Sequence, residues 1–147
     1  MANEVLWKAP VNVAAPIDTA TAIASNAGVL GSEYDNETNK KRFASFEIHV
    51  THPTAPIATR VWFLYLVYAN DGTNYEDGSG SLQPAKLHVH AFQMRNVNTA
   101  QILTCSVPLR PFKFKPLLWN DTDQSSSSAG GAAKTTLNME VYGEDIQ

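Results

Sequence analysis

A single cysteine in 147 residues, Cys105, excludes an internal disulfide framework. Charge is scarce too: 11 Lys and Arg stand against 14 Asp and Glu, for a net charge of −3. Without a basic excess, the chain lacks the electrostatic footprint of a nucleic-acid binder. Long apolar runs are missing. The longest, residues 61–69, is well below the roughly 20 residues that an apolar helix needs to cross a bilayer. No charged-then-apolar leader opens the sequence, so the expectation is a soluble protein made in a cytoplasm, with no membrane partner. No long stretch reads as a helix. What remains is 44% hydrophobic, enough for one domain to bury a core without metal or disulfides.

The strongest local signal is Arg60-Val-Trp-Phe-Leu-Tyr-Leu-Val-Tyr-Ala69. Its β-branched and aromatic residues read as a strand, and Asn70-Asp-Gly72 supplies the turn. Both faces are apolar: Trp62, Leu64, Leu66 and Tyr68 on one, Val61, Phe63, Tyr65 and Val67 on the other. A one-sided strand would alternate with polar residues. The expectation is a strand covered twice, by its own core and by a neighbouring subunit or an N-terminal arm. Trp7, Trp62, Leu64, Leu66 and Tyr68 are the interface candidates.

Period-two alternation marks further strands. Ala44, Phe46, Ile48 and Val50 share one face of residues 43–50, and Leu103, Cys105 and Val107 one face of 100–107. Lys86–Arg95 reads as a strand with Leu87, Val89 and Ala91 together. Phe112, Phe114 and Leu118 lie opposite Lys113 and Lys115, and Leu137, Met139 and Val141 form a last strand. Residues 51–59 and 70–85 are loops. Residues 121–134, with four serines and Gly130-Gly131, read as a flexible loop. Residues 17–31 are undecided. Pro10 and Pro16 keep residues 1–16 from being a helix. This stretch is either an extended arm, anchored by Val5, Leu6 and Trp7, or a first edge strand. The fold class is all-β: a β-sandwich, jelly-roll-like, over residues 17–147 with an N-terminal arm over 1–16.

Four pieces, in this order, resemble small virion proteins of tailed bacteriophages. They are Leu30-Gly-Ser-Glu-Tyr-Asp-Asn-Glu-Thr-Asn39, the block Leu64 to Gly78, Val97-Asn-Thr-Ala-Gln101, and Val107-Pro-Leu-Arg-Pro-Phe-Lys-Phe-Lys-Pro-Leu-Leu-Trp-Asn120. The resemblance implies a β-sandwich used as a capsid decoration protein or a tail appendage. With it, the apolar strand faces and the N-terminal arm are expected to bury surface against copies of the chain, as a closed trimer where the protein decorates a capsid, and against a major capsid or tail protein. The location it implies is the virion, after synthesis in a bacterial cytoplasm. His88-Val-His90 and Ser125–Ser128 lie outside the resembling pieces.

Catalytic and metal chemistry find little support. His88 and His90 share a strand face, but a zinc site needs three or four ligands, and His49 and His52 join them only if Pro53 distorts the chain. Asp71, Glu76 and Asp77 do not match an EF-hand spacing. Cys105 shares a face with Leu103 and Val107 and reads as buried and inert. Gly78-Ser-Gly-Ser81 matches neither a phosphate loop nor a nucleophile elbow and reads as a flexible tip. Lys40, Lys41, Arg42, Lys113 and Lys115 read as solvated cations. The reading is a non-enzymatic protein without cofactor or metal. Its rivals are a glycan-binding tail module using Trp7, Trp62, Trp119, Tyr65, Tyr68 or Tyr75, and a small hydrolase.

Overall fold

Alternating apolar residues build two antiparallel sheets that meet face to face. The computed structural model describes residues 5–146, with side chains over residues 7–144. The strands are β1 (Val5–Trp7), β2 (Val11–Thr19), β3 (Ala27–Leu30), β4 (Phe43–Val50), β5 (Val61–Ala69), β6 (His90–Gln93), β7 (Gln101–Pro108), β8 (Lys113–Asp121), β9 (Thr135–Tyr142) and β10 (Glu144–Ile146). A one-turn helix, α1 (Asn36–Asn39), precedes β4, and a 3-10 turn over Gly131–Ala133 precedes β9. The first sheet has the order β2-β9-β4-β7 and the second β3-β8-β5-β6, while β1 pairs with β10. The protein is therefore a β-sandwich. No helix among the described residues is long and apolar enough to cross a membrane.

The core lies between the sheets. Ala44, Phe46, Ile48 and Val50 on β4, as read from their spacing, meet Trp62, Leu64, Leu66 and Tyr68 on β5, with Phe114, Leu118, Leu137 and Met139 around them. Each of the larger side chains among them, removed from water, contributes about 1.5–3 kcal/mol. Trp62, Leu64 and Leu66 are wholly buried and Tyr68 nearly so. These four interface candidates are thus core residues of a single chain. The opposing sheet takes up the face that the sequence offered to a neighbour.

The other face of β5 is also covered from within. Tyr65, Val67, Leu117 and Trp119 form a second buried cluster, with Phe63 and Tyr75 against it. The segment between β5 and β6 folds over this face. Gln83 Nε2 donates to the Tyr65 hydroxyl at 2.7 Å, His88 stacks on Phe63 at 4.4 Å, and Lys115 sits 4.2 Å above the Tyr75 ring. Gly78–Gly80 is part of this cover rather than a loose tip. Gly28 N–H donates to Gly80 C=O at 2.8 Å. A Cβ on Gly28 would lie 2.8 Å from Leu118 O, and one on Gly80 2.9 Å from Gly28 O. Only glycine permits that approach.

Three further readings are corrected. Residues 86–89 are not strand, and β6 begins at His90. It turns Phe92 and Met94 inward, leaving Leu87 88% exposed and Val89 exposed. The bulkier apolar pair, one residue out of step with Leu87, sets the register. Residues 121–127 are not a free loop. Ser126 and Ser127 are buried; Ser126 N–H bonds Ile23 C=O, and Ser127 N–H bonds Thr51 C=O at 2.7 Å. The backbone groups of the serines substitute for apolar surface. Finally, residues 11–16 lie in β2 at a sheet edge and residues 5–7 pair with β10. This is the edge-strand alternative for that part of the N-terminal arm, and residues 1–4 lie outside the described chain.

Candidate functional site

The register of β4 and β7 sets Phe43 opposite Pro108. That pairing brings the basic triplet Lys40-Lys-Arg42 beside the proline-rich piece Pro108-Leu-Arg-Pro-Phe112. Between them lies an open groove of about 760 Å³, lined by Glu37, Lys40, Lys41, Arg42, Phe43, Pro108, Leu109, Pro111 and Phe112. Three cations and one acid stand on its rim, and its floor is apolar.

The groove walls are fixed by local chemistry. Asp35 caps α1, accepting from Thr38 N–H at 3.0 Å and from the Thr38 hydroxyl at 2.8 Å. These bonds hold its carboxyl below the ordinary carboxylate range. Lys40 takes the left-handed conformation, φ 50°, and its N–H closes on Asn36 C=O. Asn36, fully buried, ties the two walls together. Its Nδ2 donates to Lys41 C=O at 2.9 Å and Arg110 C=O at 2.8 Å, and its Oδ1 accepts from Lys41 N–H at 2.8 Å. Leu109 N–H then donates to Arg42 C=O at 2.8 Å.

An aromatic platform adjoins the groove. The Phe43 ring stacks on Tyr142 at 5.5 Å, and Trp7 tilts against both at 5.6 Å. Trp7 is 64% exposed. Arg42 lies 5.9 Å from the Phe43 centroid and pairs with Glu144. Of the interface candidates, Trp7 alone faces solvent. Such a mixture of aromatic, Arg and apolar surface suits association.

The four histidines do not converge. His49 pairs with Glu47 at 2.6 Å on the outer face of the first sheet. His52 is buried and accepts from Trp62 Nε1–H at 3.2 Å. His88 and His90 sit at the edge of the second sheet, where His90 packs on Phe92 at 4.7 Å. Among the described residues no three His, Cys, Asp or Glu side chains group in a way that could hold a metal ion. The acidic loop is likewise dispersed. Asp71 folds back on Thr73 and Asn74, whose hydrogen bonds lower its pKa to about 2. Glu76 turns to Lys86, and Asp77 is exposed. Burial raises the Cys105 thiol to about 11, which disfavours the reactive thiolate.

The groove escaped the sequence reading because its halves lie some 70 positions apart, as the Asn36–Arg110 bond across 74 residues records. Its one signal was that Lys40–Arg42 and Pro108–Phe112 each flank a well-read strand. Compared with known proteins, the chain matches no family model, no curated protein and no solved structure.

Proposed function

We propose that the protein is a non-enzymatic building block of a bacteriophage virion, a capsid decoration protein that binds the capsid surface and stabilises the head. The observation that carries the reading is the cationic, apolar-floored groove beside the exposed Trp7. In this reading it docks on an acidic, apolar patch of the major capsid protein. Trp7 acts as the buried anchor and Lys40, Lys41 and Arg42 as the steering charges. β1, which pairs with β10, presents Trp7 to the neighbour. Repetition over a symmetric shell multiplies modest contacts through effective concentration.

The strand order supports a jelly roll. The pairs β2–β9, β3–β8, β4–β7 and β5–β6 are nested one inside the next, as when one long hairpin is rolled into two sheets. Capsid and lectin domains both use this architecture. The bacteriophage assignment rests on the four resembling sequence pieces.

Co-sedimentation with purified heads that lack the protein tests the reading. The double substitution Lys40→Glu with Lys41→Glu, and separately Trp7→Ala, is expected to weaken binding at least about tenfold with an unchanged circular dichroism spectrum. Undiminished binding by both would remove this end of the sandwich as the contact. A second reading is a tail appendage that recognises host glycans, favoured by the Trp7–Phe43–Tyr142 platform, since exposed rings stack on sugar faces. A glycan-binding screen separates the two. A saccharide ligand lost in Trp7→Ala, with the protein imaged at the tail, selects the second.

A further inference from the structure

The two sheets present four lateral edges, and three are closed. On β2, Pro16 and a register shift between Val13 and Ile17 interrupt the edge, and Pro16 C=O is taken by Ser32 N–H. On the four-residue β3, Gly28 N–H is taken by Gly80. β6 is also only four residues long. Beyond its end the edge of β5 is capped by side chains: Lys86 Nζ donates to Leu66 C=O at 2.6 Å, and Glu76 accepts Tyr68 N–H at 3.1 Å. Short strands, proline, bulges and charged caps are the devices by which proteins keep sheet edges from pairing.

β7 has none of them before its last residue. It runs for eight residues, with proline only at its last position and no charged residue. Its register with β4 is unbroken from Gln101 to Pro108. Among the described residues no strand lies on its other side. Leu103 and Cys105 pack toward the core yet stay half exposed, because no strand among the described residues flanks them there. Ile102, on the outer face, is 56% exposed.

We infer that β7 pairs antiparallel with β7 of a second copy about a two-fold axis at Thr104, joining the two first sheets into one continuous sheet. A second copy is the fitting occupant because an antiparallel edge is self-complementary under a two-fold. With the axis at Thr104, that residue faces itself, a favourable cross-strand pair. Ile102 meets Ser106 of the partner subunit, and Leu103 meets the partner's Cys105 and gains the missing flank. No like charges are opposed anywhere along the strand. The resulting symmetry is two-fold, in place of a trimer. The inference stands apart from any virion role, because it concerns the isolated chain.

Sedimentation equilibrium of the full chain tests it, together with two variants. The wild type is expected to be dimeric at micromolar concentration. Thr104→Lys, at an exposed position, sets two ammonium groups opposite each other and is expected to weaken the dimer about tenfold or more with an unchanged circular dichroism spectrum. Thr104→Cys in a Cys105→Ala background is expected to form an intermolecular disulfide on mild oxidation. Opposed residues of an antiparallel pair lie about 4.5–5.5 Å apart at Cα, within disulfide reach. A monomeric wild type overturns the inference, which would leave the edge to a strand of another protein. An odd-numbered assembly, or a dimer in which Thr104→Cys does not cross-link, also overturns it.

Discussion

His52 is where a single side chain makes the core sensitive to acid. Its Nε2 accepts from Trp62 Nε1–H, so the proton of the neutral ring sits on Nδ1, which finds no partner among the described residues. Burial holds its pKa below the ordinary 6.5, with Asp123 opposing. A depressed histidine pKa means that the unfolded chain takes up the proton first. The contribution is therefore whole above about pH 6.5 and is lost as pH falls toward the folded value. Protonation also turns Nε2 into a donor and breaks the bond to Trp62. His90 shifts the same way, through burial and then the neighbouring His88. Urea unfolding at about pH 5 and about pH 8 should show the loss, and His52→Gln, which can still accept from Trp62, should reduce it. Equal losses in the two proteins would refute the assignment to His52. Asn36 is the other residue that acts out of proportion to its size. Asn36→Ala removes three hydrogen bonds from two loops and should cost about 2–3 kcal/mol in chemical denaturation.

Among the elements, β4, β5, β7 and β9 were legible because their residues alternate, or are apolar throughout, over eight or nine positions. β2 and β3 were not. Pro16 interrupts the one, and the other is four residues of Ala, Gly, Val and Leu that hold their place only against β8. The double apolar face of β5 was read correctly as doubly covered. Its second cover, however, is the β5–β6 segment, whose few apolar residues, such as Tyr75 and Pro84, lie scattered among polar ones. The groove was illegible for the reason that any tertiary site is: neither strand end announces the other. The segment after β8 illustrates how polar sequence can be structural. Ser126→Ala should cost about 1–2 kcal/mol, because its Oγ accepts Ile23 N–H at 2.9 Å in the buried interior. Ser125→Ala and Ser128→Ala, both exposed, should stay within about 0.5 kcal/mol. Thermal melts of the three would separate them, and equal shifts would mean that the segment is uniformly loose. Likewise Lys86→Met should destabilise by about 1–3 kcal/mol, since Leu66 C=O and the half-buried Glu76 both lose their donor.

For the molecule as a whole, the two sheets differ in how their members are spread along the chain. The second, β3-β8-β5-β6, needs nothing beyond Asp121, whereas the first is built around β9, Thr135–Tyr142, which lies between β2 and β4. Synthesis runs from the N-terminus at roughly 5–20 residues per second. On a translating ribosome, β2 and β4 therefore emerge well before the strand that joins them. During that interval the inner face of β4, with Phe46 and Ile48, has only part of its sheet beside it. A stalled nascent chain with residues up to 134 outside the exit tunnel should bind a hydrophobic chaperone and resist proteolysis only over its second sheet. One halted long enough to expose residue 142 outside the exit tunnel should be protected throughout. The nested winding thus makes completion of the first sheet an event timed by the emergence of β9 from the ribosome, and mutations that slow translation between β8 and β9 would lower the yield without altering the finished fold.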